Sequence, residues 1–270
     1  SLTVLSCSSD DTEKIKDTLV DPVADSVDTI VDPVADSVDI VVDTVADSVD
    51  TVVDTVADVV VVDNSGNGET TSSISYVAVG SSGTILTSDN GTTWTSMTSG
   101  TTKGLRSIAY GCILPACTRS ISTFVTVGES GTILTSSDGT SWTERTSPTS
   151  RKLRGITYGS SNDPIFVAVG RTGTILTSSG NGRSWTERDS GTTKKLNGIT
   201  YGNSTYVTVG NSGTILTSTD GTSWTERTSG TTENLNGVTY DNSLFVAEGD
   251  SGTILTSSDG TTWTPRTSGT

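Results

Sequence analysis

From Tyr76 onward, apolar and polar residues alternate in short bursts. Gly, Asn, Asp and Ser separate the bursts, as expected of brief half-buried strands joined by tight turns. The clearest recurrence is Gly-Thr-Ile-Leu-Thr, beginning at Gly83, Gly131, Gly173, Gly213 and Gly252. Each copy leads through a Gly-containing turn to a Trp, at Trp94, Trp142, Trp185, Trp224 and Trp263. A period near forty with several short strands per unit predicts a β-propeller. The fullest unit predicts strand A over 196–201, B over 206–209, C over 214–217 and D over 223–227. Strand A recurs from Leu105, Leu153 and Leu235. In the first unit its place falls to 59–62, because Val59-Val60-Val61-Val62-Asp63-Asn64-Ser65 resembles Gly237-Val238-Thr239-Tyr240-Asp241-Asn242-Ser243. The alternative is a helix running to Val62 and a three-stranded first unit. Five units predict five blades, with the five Trp as packing residues.

Residues 21–63 follow another period. Units beginning at Asp21, Asp32, Asp43 and Asp54 repeat every eleven residues. An odd period breaks strand alternation but matches about 3.67 residues per helical turn. At 100° per residue, Val23, Val27, Ile30, Val31, Val34, Val38, Val42, Val45 and Val49 form one stripe, with the aspartates opposite. The pattern predicts an N-terminal segment over 1–20, a long acidic amphipathic α-helix over 21–58, and a mainly β five-bladed propeller over 59–270. Val and Asp are weak helix formers, and Pro33 inside the span costs about 3 kcal/mol or kinks it. The stripe therefore needs a cover. Self-association into a stalk or filament with a slight right-handed supercoil supplies one. A disordered acidic spacer is the alternative.

Charge follows the same division. The net charge is −15, and residues 1–63 carry fifteen Asp and one Glu against two Lys. This repels nucleic acid and anionic membranes. No apolar run reaches the length of a membrane span. Histidine is absent, removing the commonest general base and metal ligand. The first residue is Ser, which suits a leader already removed. Cys112 and Cys117 in Cys-Ile-Leu-Pro-Ala-Cys suit a disulfide in an oxidising compartment, with two free thiols as the alternative. Val4-Leu5-Ser6-Cys7 is similar to a lipid-attachment signal, although Ser1 to Ser6 would have been cleaved away; an interchain disulfide or a free thiol serves equally.

The C–D turn reads Ser-Thr-Asp220-Gly221-Thr-Ser-Trp224. It resembles the Asp-box of sialidases and of bacterial-neuraminidase-repeat and photosystem-assembly-factor-like propellers. Other copies lie at 88–94, 138–142, 181–185 and 259–263, the third carrying Asn181 where Asp is usual. The resemblance implies a propeller over 76–270 and a turn in which the carboxylate satisfies backbone amides. It implies no activity. A sialidase would need an arginine cluster, a Tyr–Glu nucleophile pair and an acid, whereas Glu144-Arg145, Glu187-Arg188 and Glu226-Arg227 recur at equivalent outer-strand positions, as cross-strand pairs would.

Departures from the repeat carry the remaining information. The B–C turn varies as Ser81, Glu129, Arg171, Asn211 and Asp250. The D–A connections hold Lys103, Arg106, Arg151, Lys152, Arg154, Lys194 and Lys195, a basic face or simply a solvated rim. The expectation is a non-enzymatic, cofactor-free structural or adhesive protein at the cell surface or outside it. It forms homo-oligomers or filaments, its propeller meeting a protein or surface glycan. A lectin-like propeller on an acidic spacer is the alternative.

Overall fold

β-Branched residues at every second position favour extended backbone, and the intervening Gly and Ser residues turn it. The result is a mainly β, propeller-like fold. The computed structural model describes residues 56–61, 76–112, 122–159 and 164–269, with backbone only for 56–61 and Cys112. The first sheet comprises β1 (Val56–Val61), β2 (Tyr76–Gly80), β3 (Ile85–Ser88) and β4 (Thr95–Ser96). The second comprises β5 (Leu105–Cys112), β6 (Ser122–Gly128), β7 (Ile133–Ser136) and β8 (Thr143–Glu144). The third comprises β9 (Leu153–Gly159), β10 (Ile165–Gly170), β11 (Ile175–Ser179) and β12 (Thr186–Arg188). β13 (Leu196–Gly202), β14 (Thr205–Gly210), β15 (Ile215–Ser218) and β16 (Thr225–Arg227) make the fourth. β17 (Leu235–Asp241), β18 (Leu244–Gly249), β19 (Thr253–Ser257) and β20 (Thr264–Arg266) make the fifth. Every sheet is a four-stranded antiparallel meander. The first strands of successive sheets, β1, β5, β9, β13 and β17, pack side by side.

The core lies between sheets. One face of each of the first four sheets offers two Val and an Ile: Val125, Val127 and Ile133 in the second, Val207, Val209 and Ile215 in the fourth. The facing side of the next sheet offers a Leu, an aromatic residue, a second Leu and the Trp. Examples are Leu153, Phe166, Leu176 and Trp185, or Leu235, Phe245, Leu255 and Trp263. Four such interfaces recur in one register. Strand B therefore serves two cores at once, one with each face. The terminal faces differ. On the fifth sheet the same positions are Val246, Glu248 and Ile254, none of them buried, beside the exposed Leu244. Among the described residues, no comparable packing joins the fifth sheet to the first.

The strand completing the first sheet begins three residues before the expected 59–62 segment. β1 pairs Val61 with Tyr76, where Tyr240 pairs with Phe245, so the aligned strings are one residue out of step. Four consecutive valines carry no alternation that could fix register. Val56, Ala57 and Asp58, assigned above to the end of the helix, are strand instead, held by backbone bonds to β2. The rest of the helix, with its stripe from Val23 to Val49, lies outside the described residues, as do Cys7 and Cys117. Among the described residues no helix is long and apolar enough to cross a membrane.

Candidate functional site

The recurring polar residues are consumed by the fold. In the C–D turn of the second sheet, Ser136 Oγ accepts the Gly139 amide at 2.8 Å and donates to Asp138 Oδ1 at 2.9 Å. Asp138 Oδ1 also accepts the amides of Thr140 and Ser141, each at 2.8 Å. Trp142 Nε1 donates to Gly139 O at 3.0 Å. Asp220 and Asp259 repeat the arrangement. In the first sheet the same office falls to Asn90, not to Asp89. In the third sheet one extra residue separates the Ser from the Trp. Trp185 still donates to Gly182 O at 2.8 Å, but Ser178 Oγ is buried without a partner.

All five Trp indoles are thus spent on a backbone carbonyl and packed beside a core ring or leucine. The outer-strand arginines make cross-strand pairs, with hydroxyls as their partners. Arg145, Arg188, Arg227 and Arg266 each donate Nε to a Thr of strand C, at 2.7 to 2.8 Å. The carboxylates reach the connections instead: Glu144 lies 3.9 Å from Lys103, and Glu187 lies 3.2 Å from Arg151.

What does not recur gathers at the end of the sheets where strand A begins. There the first residue of the B–C turn donates its amide to the connection entering strand A in the second to fifth sheets. Glu129 N bonds Gly104 O, Arg171 N bonds Lys152 O, Asn211 N bonds Lys195 O and Asp250 N bonds Asn234 O, all at 2.9 to 3.0 Å. The second and third residues after Val-Gly take left-handed backbone, as at Thr172 (φ 58) and Gly173 (φ 66). Each bond sets a B–C side chain beside the second residue of strand A. Arg106 meets Glu129 at 2.7 Å, Asn197 meets Asn211 at 3.1 Å, and Asn236 meets Asp250 at 2.8 Å.

The structure divides the expected basic face. Arg106 and Lys152 converge on Glu129, whose carboxyl falls to about 2, chiefly through the Arg106 hydrogen bond and then that of Lys152. Lys103 and Arg151 face the outer-strand glutamates, and Lys194 is exposed on the rim. Arg154 and Lys195, together with Arg171 from the B–C turn, form the remaining positive group. Burial, then the charges of Arg106 and Arg171, lower the Arg154 pKa. Burial, then Arg154 and Arg171, lower that of Lys195. Among the described residues no His, Cys, Asp and Glu side chains cluster in threes that could hold a metal ion.

A family model described as the DUF6242 beta propeller domain matches residues 160–270, from just before β10 onward. No curated protein matches the chain. Among solved structures, one described as YCF48 bound to D1 peptide is 19% identical with a TM-score of 0.57, covering 79% of this chain and 67% of that one. The computationally designed Ika8 protein is 14% identical with a TM-score of 0.54, covering 76% of this chain and 59% of that one. The matched family domain and the sheet architecture are those of a β-propeller.

Proposed function

We propose that the chain is a non-enzymatic interaction protein. Its sheets form a five-bladed propeller head with an Asp-box turn in most blades, and the preceding acidic eleven-residue repeat is a self-associating stalk. The observation that carries this reading is the division of labour among the residues. The recurring Trp indoles, the turn Asp residues and the outer-strand Arg residues are committed to turns and cross-strand bonds. The variable charged residues converge at one end, where a partner would read them. YCF48, a likeness in fold, is described with a bound peptide, and peptide capture is the role proposed for this head. The valine stripe from Val23 to Val49 would then join copies into an oligomer or filament at the cell surface or outside it, with the Cys112–Cys117 loop oxidised there. The lectin alternative is weakened because the recurring Trp indoles are already bonded to carbonyls, leaving no repeated ligand set.

Native mass spectrometry and negative-stain imaging of the full chain test this reading. Oligomers or fibres are expected, dispersing to monomers in a Val34→Asp/Val45→Asp variant. A wild-type monomer at micromolar concentration would overturn it.

A further inference from the structure

In the second, fourth and fifth sheets, the second residue of strand A and the first residue of the B–C turn complement each other. They are cation with carboxylate, amide with amide, and amide with carboxylate. In the third sheet the same two positions are Arg154 and Arg171. The backbone bond that sets them side by side is intact, Arg171 N to Lys152 O at 3.0 Å. Among the described residues neither guanidinium has a carboxylate within salt-bridge distance, and Arg154 Nε is buried without a hydrogen-bond partner. Lys195, at the entry to the fourth sheet, is near enough to both for their charges to act on its ammonium. The two neighbouring carboxylates are already engaged. Glu129 is held by Arg106 and Lys152; Asp250 accepts from Asn234 and Asn236 at 2.8 Å, and its charge also acts on Lys195. Three cations thus converge where the second, fourth and fifth sheets place a complementary pair. Arg106 Nε is unbonded in the same way, but its guanidinium has Glu129, whereas Arg154 and Arg171 have no such carboxylate, so the site calls for an anion that the described residues do not supply.

We propose that Arg154, Arg171 and Lys195 form a peptide-carboxylate site, and that its occupant is an aspartate of the acidic repeat, from the same chain or a neighbouring copy. This deepens the interaction-head reading by naming the site and the partner. Position argues for the occupant. Val56 opposes Gly80 as Leu153 opposes Gly170, so β1 enters the first sheet at the end bearing the three cations. Asp54 stands two residues before Val56 in sequence, as Arg151 and Lys194 stand two before Leu153 and Leu196. Thirteen aspartates therefore precede the strand that enters at this end, where Glu129 and Asp250 are already engaged. Guanidinium groups suit this role because their fork matches carboxylate geometry, whereas Lys195 adds a point charge.

Zero-length carbodiimide coupling of the full chain, read by peptide mass spectrometry, tests the assignment. The expected product joins Lys195 to an aspartate within 21–58. Its yield should fall about tenfold in an Arg154→Gln/Arg171→Gln variant of unchanged thermal stability and remain unchanged in Lys103→Gln. Coupling mixed heavy- and light-isotope chains separates links within one chain from links between copies, and both would support the site. Links from Lys195 to Asp250 or Glu129 alone, or a yield indifferent to the double substitution, would overturn it. Links confined to one chain, in a protein that stays monomeric, would sink the stalk and leave this site standing.

Discussion

The hydroxyl of Tyr206 ends against Gly159 of the neighbouring sheet, buried and without a hydrogen-bond partner among the described residues. The same position holds Phe124, Phe166 and Phe245 in three other sheets, each packed on the tyrosine of its own strand A. The oxygen gains no bond for the water it loses, and desolvation drives its pKa well above the usual phenol range. Tyr206→Phe should therefore stabilise the protein by about 1 kcal/mol, seen as a raised urea midpoint with an unchanged slope. Gly159→Ala should do the reverse, because a Cβ would occupy the space of the Tyr206 ring. A loss of about 1–3 kcal/mol is expected, relieved when combined with a smaller residue at 206. Additivity in the double variant would show that the two side chains do not meet.

Ser178 and Ser136 occupy equivalent positions but do different things. Ser136 ties its turn together, accepting two amides and donating to Asp138, whereas Ser178 makes no bond. Ser136→Ala should cost about 1–2 kcal/mol, as loss of a cap does. Ser178→Ala should be neutral or slightly stabilising. Paired chemical denaturation curves decide the matter, and equal losses would show that Ser178 has a partner after all.

The two serines mark where sequence reasoning succeeds and where it stops. The strands, turns and sheet count followed from period and alternation, because every inter-sheet core reuses the same Val, Ile, Leu and Trp. The one-residue insertion before Trp185 was visible as Asn181 in place of Asp, yet its consequence at Ser178 needed the turn geometry. Likewise Arg154 and Arg171 both stand out in the sequence, one as a basic connection residue and one as a turn variant. Only the register of β9 against the B–C turn brings them together. The start of the first sheet is not legible in the sequence, because four valines leave register undetermined. Glu248, on the terminal sheet's open face, breaks the repeat at a position that is Val79, Val127, Val169 or Val209 elsewhere. Its side chain folds over Gly237 of its own sheet, and the partial desolvation of the carboxyl there, then Asp250, raises its pKa although the residue is exposed as a whole.

Acid should loosen the turns in a defined window. Burial would raise the Asp138 carboxyl, but the amides of Ser141 and Thr140 with the hydroxyls of Ser136 and Thr140 outweigh it and hold it at about 2. Asp220 and Asp259 lie lower still through equivalent bonds. A depressed folded-state pKa contributes stability above the ordinary aspartate value, about 3.9, and that stability is lost as pH falls through the folded value. The melting temperature should therefore be level above about pH 5 and decline from about pH 4 toward 2. Asn90 does the same work in the first sheet without titrating. Replacing all three aspartates by Asn should flatten the acid decline. An unchanged decline would place its origin outside these turns.

Glu129 binds two sheets through one oxygen. Oε1 lies 2.7 Å from Arg106 Nη2 in its own sheet and 3.0 Å from Lys152 Nζ at the entry to the next. Its side chain is 39% exposed, so water screens both pairs and limits what they add to stability to about 1 kcal/mol. The larger effect of Glu129→Gln should be electrostatic. Removing one negative charge releases Arg106 and Lys152 beside Arg154, Arg171 and Lys195, so the end of the sheets becomes more positive. The loss of melting temperature should be small at low salt and vanish near 0.5 M salt, where the Debye length is about 4 Å. Binding of a free aspartate-rich peptide should strengthen at low salt and depend more steeply on salt than in the wild type. A destabilisation that persists at high salt would instead make Glu129 a packing residue whose charge is incidental.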